Sequence, residues 1–227
     1  MDIYKLSEEI PDGEKDEGVE FEITDLKQGV KNPDRVNVYV NGKFSFSLDV
    51  SQVVDLGVKK GLVVSSERLE EFKKASEFGK LYQRALEWAL MRPHSKKEVR
   101  DYLYKKIYDK KLDKSFIELV ISRLEAKGYV DDRRFAEWYV ENRFLKKGIS
   151  VKRLKMELMK KGISADVVSE VLSGSERNEK EEILKVVAKK RSKYDTDEKL
   201  IQYLLRQGFS YALVREVVES SSILADE

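Results

Sequence analysis

Three segments of the chain repeat one short pattern, and this repetition constrains the fold more than any other feature. They begin at Ser95, Ser150 and Thr196, at offsets of 55 and 46 residues. Each opens with a hydroxyl residue that can cap a helix, and apolar residues follow at the fourth and eighth positions after it. A helix is therefore predicted after each hydroxyl residue. One short unit buries too little apolar surface to fold alone, so neighbouring units are expected to stack.

Further helices are predicted on both sides of these three. Gly162 and Gly208 stand twelve positions after the hydroxyl residue in the second and third segments, where a helix C-cap belongs, whereas the first segment has Ile107 there. Ser164 and Ser210 follow the glycines and can each start a third helix. The helices that precede the three segments are predicted at about 78–91, 132–146 and 176–193.

The predicted fold is mainly α, with three tandem three-helix repeats in an elongated arc after a small N-terminal β-hairpin or sheet section. The predicted parts are an acidic, loosely ordered lead-in (1–18), the β section (19–65), a linking helix with the first repeat (66–129), the second repeat (130–173), and the third repeat with a tail (174–227).

The β section contains a hairpin signal at Asn41-Gly42, which lies between two runs of alternating apolar residues. The apolar positions are Val36, Val38 and Val40 in the first run and Phe44, Phe46 and Leu48 in the second. A loop of two residues would put the two sets on opposite faces, whereas a loop of three that includes Lys43 would put them on one face. The sequence leaves both registers open.

Charge is distributed unevenly along the chain. Residues 1–25 carry ten acidic residues against Lys5 and Lys15, although the whole chain has 44 basic and 42 acidic residues. The remainder is therefore basic. The acidic segment acts either as a solubilising tail or as a mimic that folds back in place of an anionic partner.

Several functional classes are excluded by composition. The chain has no cysteine and one histidine, so disulfides, thiol nucleophiles and histidine-based metal clusters are ruled out. No apolar run approaches the roughly 20 residues that span a bilayer, and the first residues do not form a signal peptide. We expect a cytoplasmic protein without membrane contact and without a metal or other cofactor.

The candidate acid–base residues are better explained by helix starts, and no catalytic residue is predicted. Asp131 and Asp132 precede a predicted helix, where a carboxylate satisfies free backbone N–H groups. His94 lies in a turn after a proline. The predicted structural caps are Ser95, Asp131, Asp132, Ser150 and Thr196.

A basic stretch is the most informative candidate surface. From Arg143 to Lys161 there are eight basic residues and one acid, Glu157. Met156 and Met159 lie among the basic residues, and flexible methionines suit an adaptable interface, although both could pack on a neighbouring repeat. The residues predicted to bind a macromolecular partner are Arg133, Arg143, Lys146, Lys147, Lys152, Arg153, Lys155, Met156, Met159 and Lys160. A second basic cluster (Lys185, Lys189, Lys190, Arg191 and Lys193) is interpreted as a solvated helix end.

Three stretches carry a resemblance to a known family. They are Arg92-Pro93-His94-Ser95 through Tyr102-Leu103, Leu124-Glu125-Ala126-Lys127-Gly128-Tyr129 through Phe135-Ala136, and Gly148-Ile149-Ser150 through Gly162-Ile163. In order and spacing they resemble the RecX family of RecA regulators. The resemblance covers about residues 35–220 and is strongest over 85–172. The chain departs from the family at Ile107, where glycine is usual, and in its acidic first 30 residues.

The resemblance implies a non-enzymatic regulator whose partners are RecA protein and RecA–DNA filaments. Such a protein would lodge in the filament groove and inhibit RecA ATPase, strand exchange and co-protease activity, modulating recombination, DNA repair and the SOS response. A monomer is expected.

The residues leave an alternative open, which is direct non-specific DNA binding through the basic repeats. The helix–Gly–Ser–helix pattern resembles a helix-turn-helix, with Ser164 opening the second helix. That helix carries Asp166 and Glu170 and lacks residues that read base edges, which weakens this alternative. An enzyme is least favoured, because the chain has no phosphate-binding glycine motif, metal set or activated nucleophile.

Overall fold

The computed structural model describes residues 20–30, 32–110, 112–145 and 147–223; at 110 and 221–223 only the backbone is described. The predicted acidic lead-in therefore lies outside the described residues. The described part is mostly helical with a small antiparallel sheet near its start, which confirms the predicted fold class. It divides into two compact units. The first contains the described residues up to Ala85 together with Lys106–Phe116, and the second contains Leu86–Lys105 and the described residues from Ile117 onward.

The secondary structure follows in chain order. The strands are β1 (Phe21–Gln28), β2 (Arg35–Val40), β3 (Lys43–Asp49) and β4 (Val63–Val64). The helices are α1 (Val50–Asp55), α2 (Ser66–Leu90), α3 (Lys96–Lys110), α4 (Phe116–Ala126), α5 (Asp132–Asn142), α6 (Val151–Lys160), α7 (Ala165–Ser173), α8 (Glu179–Lys190), α9 (Asp197–Arg206) and α10 (Tyr211–Ile223), with a short 3-10 turn at Arg191–Lys193.

In the first unit, the antiparallel sheet has the strand order β3-β2-β1-β4. Its apolar face needs a cover, because a lone hairpin is marginally stable in water. Leu69 and Phe72 of α2 provide part of that cover and join the core residues of the strands. The Phe72 ring lies 6.4 Å from that of Phe46.

The hairpin turn contains two residues. Val40 pairs with Lys43, and Asn41 and Gly42 between them have φ values of 49° and 79°. Two successive positive φ values define a type I′ turn, whose twist matches that of the flanking strands. The two-residue loop is therefore the one that forms.

A β-bulge next to this turn makes the facing pattern differ from both predicted registers. Tyr39 pairs with Phe44 but Val38 pairs with Phe46, so that Ser45 is an extra residue in β3. The extra residue returns Phe46 to the face of Val38, and both are buried. Phe44 stays on the opposite face, where its ring packs edge-on to Tyr39 at 6.0 Å.

Several helix boundaries differ from the prediction. The predicted helix at 78–91 is the second half of α2, a single helix of 25 residues. Gly79 lies inside this helix and costs only about 1 kcal/mol there, so it does not break it. The predicted helix at 132–146 ends at Asn142, because Phe144 has a φ of 49°, which a right-handed helix cannot accommodate.

The second unit contains two apolar clusters, each built from three consecutive helices. One draws on α5, α6 and α7 and includes Phe135 and Leu158, and the other draws on α8, α9 and α10 and includes Ile183 and Leu200. All four side chains are fully buried, and burial of one such side chain stabilises the fold by about 1.5–3 kcal/mol. The division of the chain into three repeats at the boundaries given above stays a prediction.

Candidate interaction surface

The α6 helix presents a cationic outer face. Leu154 and Leu158 are buried on its inner side, which leaves the opposite side in solvent. The outer face is defined by Lys152, Lys155, Met156, Met159 and Lys160, all of them exposed. The side chains of Met156 and Met159 are 63% and 50% exposed, so neither is packed on a neighbouring repeat. Exposed methionines beside lysines form a surface that the fold itself does not use.

Two of the predicted partner-binding arginines also make contacts within the chain. Arg143 donates from Nε to Glu157 Oε2 at 2.6 Å, and Arg153 donates from Nε to Glu157 Oε1 at 3.2 Å. Arg153 also donates from Nη1 to Gln207 Oε1 at 2.7 Å. Glu157, the one acid in the basic stretch, thus holds two cations in fixed positions.

The protonation states in this network follow from its contacts. Burial opposes ionisation of Glu157, but hydrogen bonds from Arg143 and Tyr139 lower the pKa of its carboxyl group to about 2. Burial and the hydrogen bond to Glu157 raise the pKa of the Tyr139 hydroxyl to about 12. The role of Glu157 was not predicted from the sequence, although its position four residues after Arg153 is a recognised helical pair spacing.

The remaining predicted partner-binding cations outside α6 are Arg133, Lys146 and Lys147. Arg133 of α5 donates from Nη2 to Glu170 Oε2 of α7. Lys147 is exposed, and its ammonium lies 5.8 Å from the centre of the Phe144 ring. Lys146 lies outside the described residues.

The second basic cluster is also partly paired. Lys185 contacts Glu182 at 2.7 Å, and Arg191 contacts Asp197 at 2.6 Å. The ammonium of Lys190 lies 5.9 Å from the centre of the Tyr203 ring.

Ser95 connects two consecutive helix sets. Its Oγ accepts a hydrogen bond from Glu98 N at 3.1 Å, as expected for the start of α3. The same hydroxyl donates to the backbone oxygen of Lys161 at 2.8 Å, at the end of α6. The serine therefore satisfies a helix start and a helix end at the same time.

Ser150 makes the same pair of contacts one repeat later. Its Oγ accepts from Arg153 N at 3.2 Å and donates to the backbone oxygen of Gln207 at 2.7 Å, at the end of α9. Thr196 begins α9 by accepting from Lys199 N at 3.5 Å. The sequence predicts the caps but not the second contact of each serine.

The close packing at these junctions explains why glycine stands twelve positions after Ser150 and after Thr196. It also explains why the segment that begins at Ser95 has no glycine there. A Cβ on Gly162 would lie 2.8 Å from Lys97 Cβ, and a Cβ on Gly208 would lie 2.9 Å from Ser150 Oγ. Each glycine thus makes room for the helix start of the preceding repeat. In the first segment the corresponding position, Ile107, lies inside α3, which continues to Lys110.

Asp131 and Asp132 act at two different helices. Asp131 caps α5, since its side chain accepts from Arg133 N and Arg134 N. Asp132 is the first residue of α5, and its Oδ1 accepts from Lys96 N of α3 at 2.8 Å. Burial raises the pKa of the Asp132 carboxyl group.

A partly buried ion-pair network surrounds the Ser95 junction. Glu98 contacts Arg92 at 3.0 Å, His94 at 3.1 Å and Lys161 at 2.6 Å. Burial disfavours the charged form of Glu98, but hydrogen bonds from His94, Lys161 and Arg92 lower its pKa to about 2. His94 itself is stacked on Trp88, with ring centres 3.5 Å apart.

The Glu98 network predicts a pH dependence of stability. Its pKa falls from an ordinary value of 4.5 to about 2 in the folded protein, so the network stabilises fully above about pH 4.5. This contribution is lost as the pH falls from 4.5 towards 2. We expect Glu98→Gln to lower the free energy of unfolding at pH 7 and to flatten its decline over that interval. Urea unfolding followed by tryptophan fluorescence measures both.

A matched variant separates this network from general acid effects. Glu137→Gln removes an exposed carboxylate of α5 and should leave the pH profile close to that of the parent chain. An equally steep decline in Glu98→Gln and the parent would contradict the assignment.

Within the described ranges, no group of three or more His, Cys, Asp or Glu side chains could hold a metal ion. The helices described there also include none that is both long and apolar enough to cross a membrane. Together, the fold and the outer face of α6 define a helical protein whose exposed cationic surface suits contact with another macromolecule.

Comparison with protein families identifies the relatives of this chain. The RecX N-terminal domain matches residues 21–65, and the second three-helix domain of RecX matches residues 131–172. The regulatory protein RecX of Clostridium acetobutylicum is 34% identical over 208 residues, covering 87% of this chain and 94% of the relative. RecX of Clostridium perfringens is 28% identical over 205 residues, covering 86% and 94%. The chain therefore belongs to the RecX family of regulatory proteins.

Solved structures agree with the fold. A crystal structure of regulatory protein RecX superimposes with a TM-score of 0.70 at 21% identity, covering 88% of this chain and 99% of that one. RecX from Lactobacillus salivarius gives a TM-score of 0.52 at 25% identity, covering 66% and 99%.

Proposed function

We propose that this protein is a non-enzymatic cytoplasmic regulator that binds RecA and the groove of its nucleoprotein filament. Bound there, it inhibits RecA ATPase, strand exchange and co-protease activity and so modulates recombination, DNA repair and the SOS response. Membership of the RecX family supports the regulatory role. The protein acts as a monomer in this proposal, because each chain carries several helical units that can contact the partner.

The outer face of α6 is the observation that carries this proposal. Its lysines Lys152, Lys155 and Lys160 are exposed and form no ion pair with the acidic side chains of the described residues, so their charge is available to a partner. Met156 and Met159 add apolar area that adapts to an irregular surface. A cationic face with such area suits a protein partner that is acidic around an apolar patch.

The proposed mechanism requires no chemistry from this chain. Weak contacts from separate helical units add up, because the second contact forms within a complex that already exists. A chain that spans neighbouring RecA subunits would hinder the movements that accompany ATP turnover. Inhibition would follow from this restraint alone.

Charge reversal on the outer face tests the proposal. We expect Lys152→Glu, Lys155→Glu and Lys160→Glu together to raise the concentration needed for half-inhibition of RecA ATPase by about tenfold or more, since like charges at an interface repel. Arg153 is left unchanged because it pairs with Glu157 and Gln207. ATPase is titrated with and without preformed filaments, and far-UV circular dichroism checks helical content.

A control triple variant has the same change in charge. Lys105→Glu, Lys114→Glu and Lys127→Glu alter exposed lysines that are not part of α6 and should inhibit within about twofold of the parent chain. Normal inhibition by the α6 variant would refute the assignment of this face. Binding to bare single-stranded DNA as tight as to filaments at physiological salt would instead favour the non-specific DNA-binding alternative.

A further inference from the structure

A cleft of about 520 Å³ lies between the loop after α5, the start of α6, and the helices α8 and α9. Four basic residues line it, and we call it the cationic cleft: Lys147, Arg153, Lys189 and Lys190. No aspartate or glutamate is among the described residues that line it. Its positive charges come from two consecutive helix sets, so an occupant would contact both.

The cleft also has apolar walls. Ile149, Val186 and Phe209 line it and are buried to at least nine-tenths of their surface. A ligand that consisted only of charges would leave these walls without complementary contacts. An occupant with one apolar side chain between anionic groups would match both features.

Arg153 is held in place before any ligand binds. Its Nε donates to Glu157 and its Nη1 donates to Gln207 Oε1. Gln207 is in turn fixed at its backbone oxygen by Ser150. A guanidinium with a fixed plane loses little side-chain entropy when it binds a carboxylate.

The aromatic rings of the cleft favour a peptide over a nucleic acid. Single-stranded nucleic acids bind by stacking bases on open aromatic rings. Here the Arg143 guanidinium covers the Phe144 ring at 3.6 Å, and Tyr203 lies against Tyr194 with ring centres 5.4 Å apart. Lys190 also lies near the Tyr203 ring, at 5.9 Å. Stacking of bases would have to displace these contacts.

We propose that the cationic cleft binds an acidic segment of a partner protein, whose carboxylates pair with Lys147, Arg153 and Lys190 while an apolar side chain enters between Ile149 and Val186. This inference deepens the proposed function, because it names the chemistry of the partner segment, and it rests on that function only for the identity of the partner. A segment bound in the cleft would contact α6, α8 and α9 at the same time. It would therefore limit the movement of these consecutive helix sets relative to each other.

A direct binding assay tests the cleft without RecA. The probe is a short fluorescein-labelled peptide rich in glutamate, with one phenylalanine at its centre. A second peptide has every glutamate replaced by glutamine, and a third ligand is an oligodeoxythymidine of similar charge. Fluorescence anisotropy is measured with the full chain at physiological salt. We expect binding of the glutamate peptide and at least tenfold weaker binding of the glutamine peptide.

Charge reversal locates the binding. We expect Lys147→Glu with Lys190→Glu to weaken peptide binding by about tenfold or more. The milder Lys147→Gln with Lys190→Gln should weaken it less, and it keeps the test usable if the reversed variant misfolds. Lys105→Glu with Lys127→Glu has the same change in charge away from the cleft and should bind within about twofold of the parent chain.

Each outcome decides a separate question. Equal losses in the cleft and control variants, or no peptide binding by the parent, would overturn the proposal. Tighter binding of the oligonucleotide than of the peptide, lost in the cleft variant, would overturn it in favour of a nucleic-acid site. If the cleft variants lose the peptide but still inhibit RecA ATPase fully, RecA does not supply the acidic segment and the proposed function stands. If the parent binds the peptide in the cleft but never inhibits RecA, the proposed function fails and the cleft remains.

Discussion

Replacing Gly148 with alanine is expected to lower the free energy of unfolding of the second unit by about 3 kcal/mol or more. Gly148 has a φ of 74°, a conformation that costs other residues about 1–2 kcal/mol. An added Cβ would also lie 2.2 Å from the backbone oxygen of Glu182 and 2.8 Å from a Val186 methyl group. The backbone of α8 would have to move, and shifts of this kind in packed regions typically cost a further 1–3 kcal/mol, by rough estimate.

Gly128 provides a matched control for this substitution. Its φ is 70°, but a Cβ there would meet no atom within 4 Å. Gly128→Ala should therefore cost only the conformational part, about 1–2 kcal/mol. Trp88 and Trp138 both lie in the second unit, so urea unfolding followed by tryptophan fluorescence reports on it directly. Equal losses in the two variants would show that α8 does not approach Gly148 as described.

Replacing Glu182 with alanine is expected to destabilise the same unit by about 3–5 kcal/mol, because it leaves a buried cation without its partner. Glu182 is 3% exposed. Its Oε2 accepts from Ile149 N at 2.9 Å and from Arg177 Nη1 at 3.2 Å, and its Oε1 accepts from Lys185 at 2.7 Å. The Arg177 side chain is only 11% exposed, so water cannot fully replace the carboxylate.

Two further variants assign the loss to particular contacts. Glu182→Gln keeps an acceptor for the Ile149 N–H group and should cost less than Glu182→Ala. Adding Arg177→Met to Glu182→Ala removes the unpaired cation and should recover part of the stability, which a double-mutant cycle measures. A loss under about 1 kcal/mol for Glu182→Ala would contradict the role of this carboxylate.

The sequence predicted those features that depend on local periodicity. The caps at Ser150 and Asp131 and the buried positions Leu154 and Leu158 follow from helical spacing, and the structure has them in these roles. Spacing cannot show which residues of distant segments meet. The donation from Ser150 to the Gln207 backbone joins residues 57 positions apart, and no local pattern indicates it.

The hairpin shows a second kind of limit. The sequence indicated the turn at Asn41-Gly42, but the register depended on whether one residue was added to a strand. The bulge at Ser45 adds it, because this lets Phe46 reach the core beside Val38 while the favoured two-residue turn is kept. Burial on one face decided the register, and burial depends on what covers the sheet.

Composition predicted the candidate surface, and the contacts add which of its cations are paired within the chain. Counting charges along the basic stretch could not separate Arg153, which pairs with Glu157, from Lys155, which stays in solvent. The cationic cleft was not predicted, because Lys147 and Lys190 come from helix sets that only the tertiary fold brings together.

The two serine junctions also differ from the corresponding helix start at Thr196 in the burial of the residue that precedes the cap. The residue before each junction serine is buried, His94 in one case and Ile149 in the other. Its counterpart before Thr196 is Asp195, whose side chain is 87% exposed. Packing a further element on Asp195 in the same way would remove its carboxylate from water, which costs free energy, whereas His94 and Ile149 are already buried.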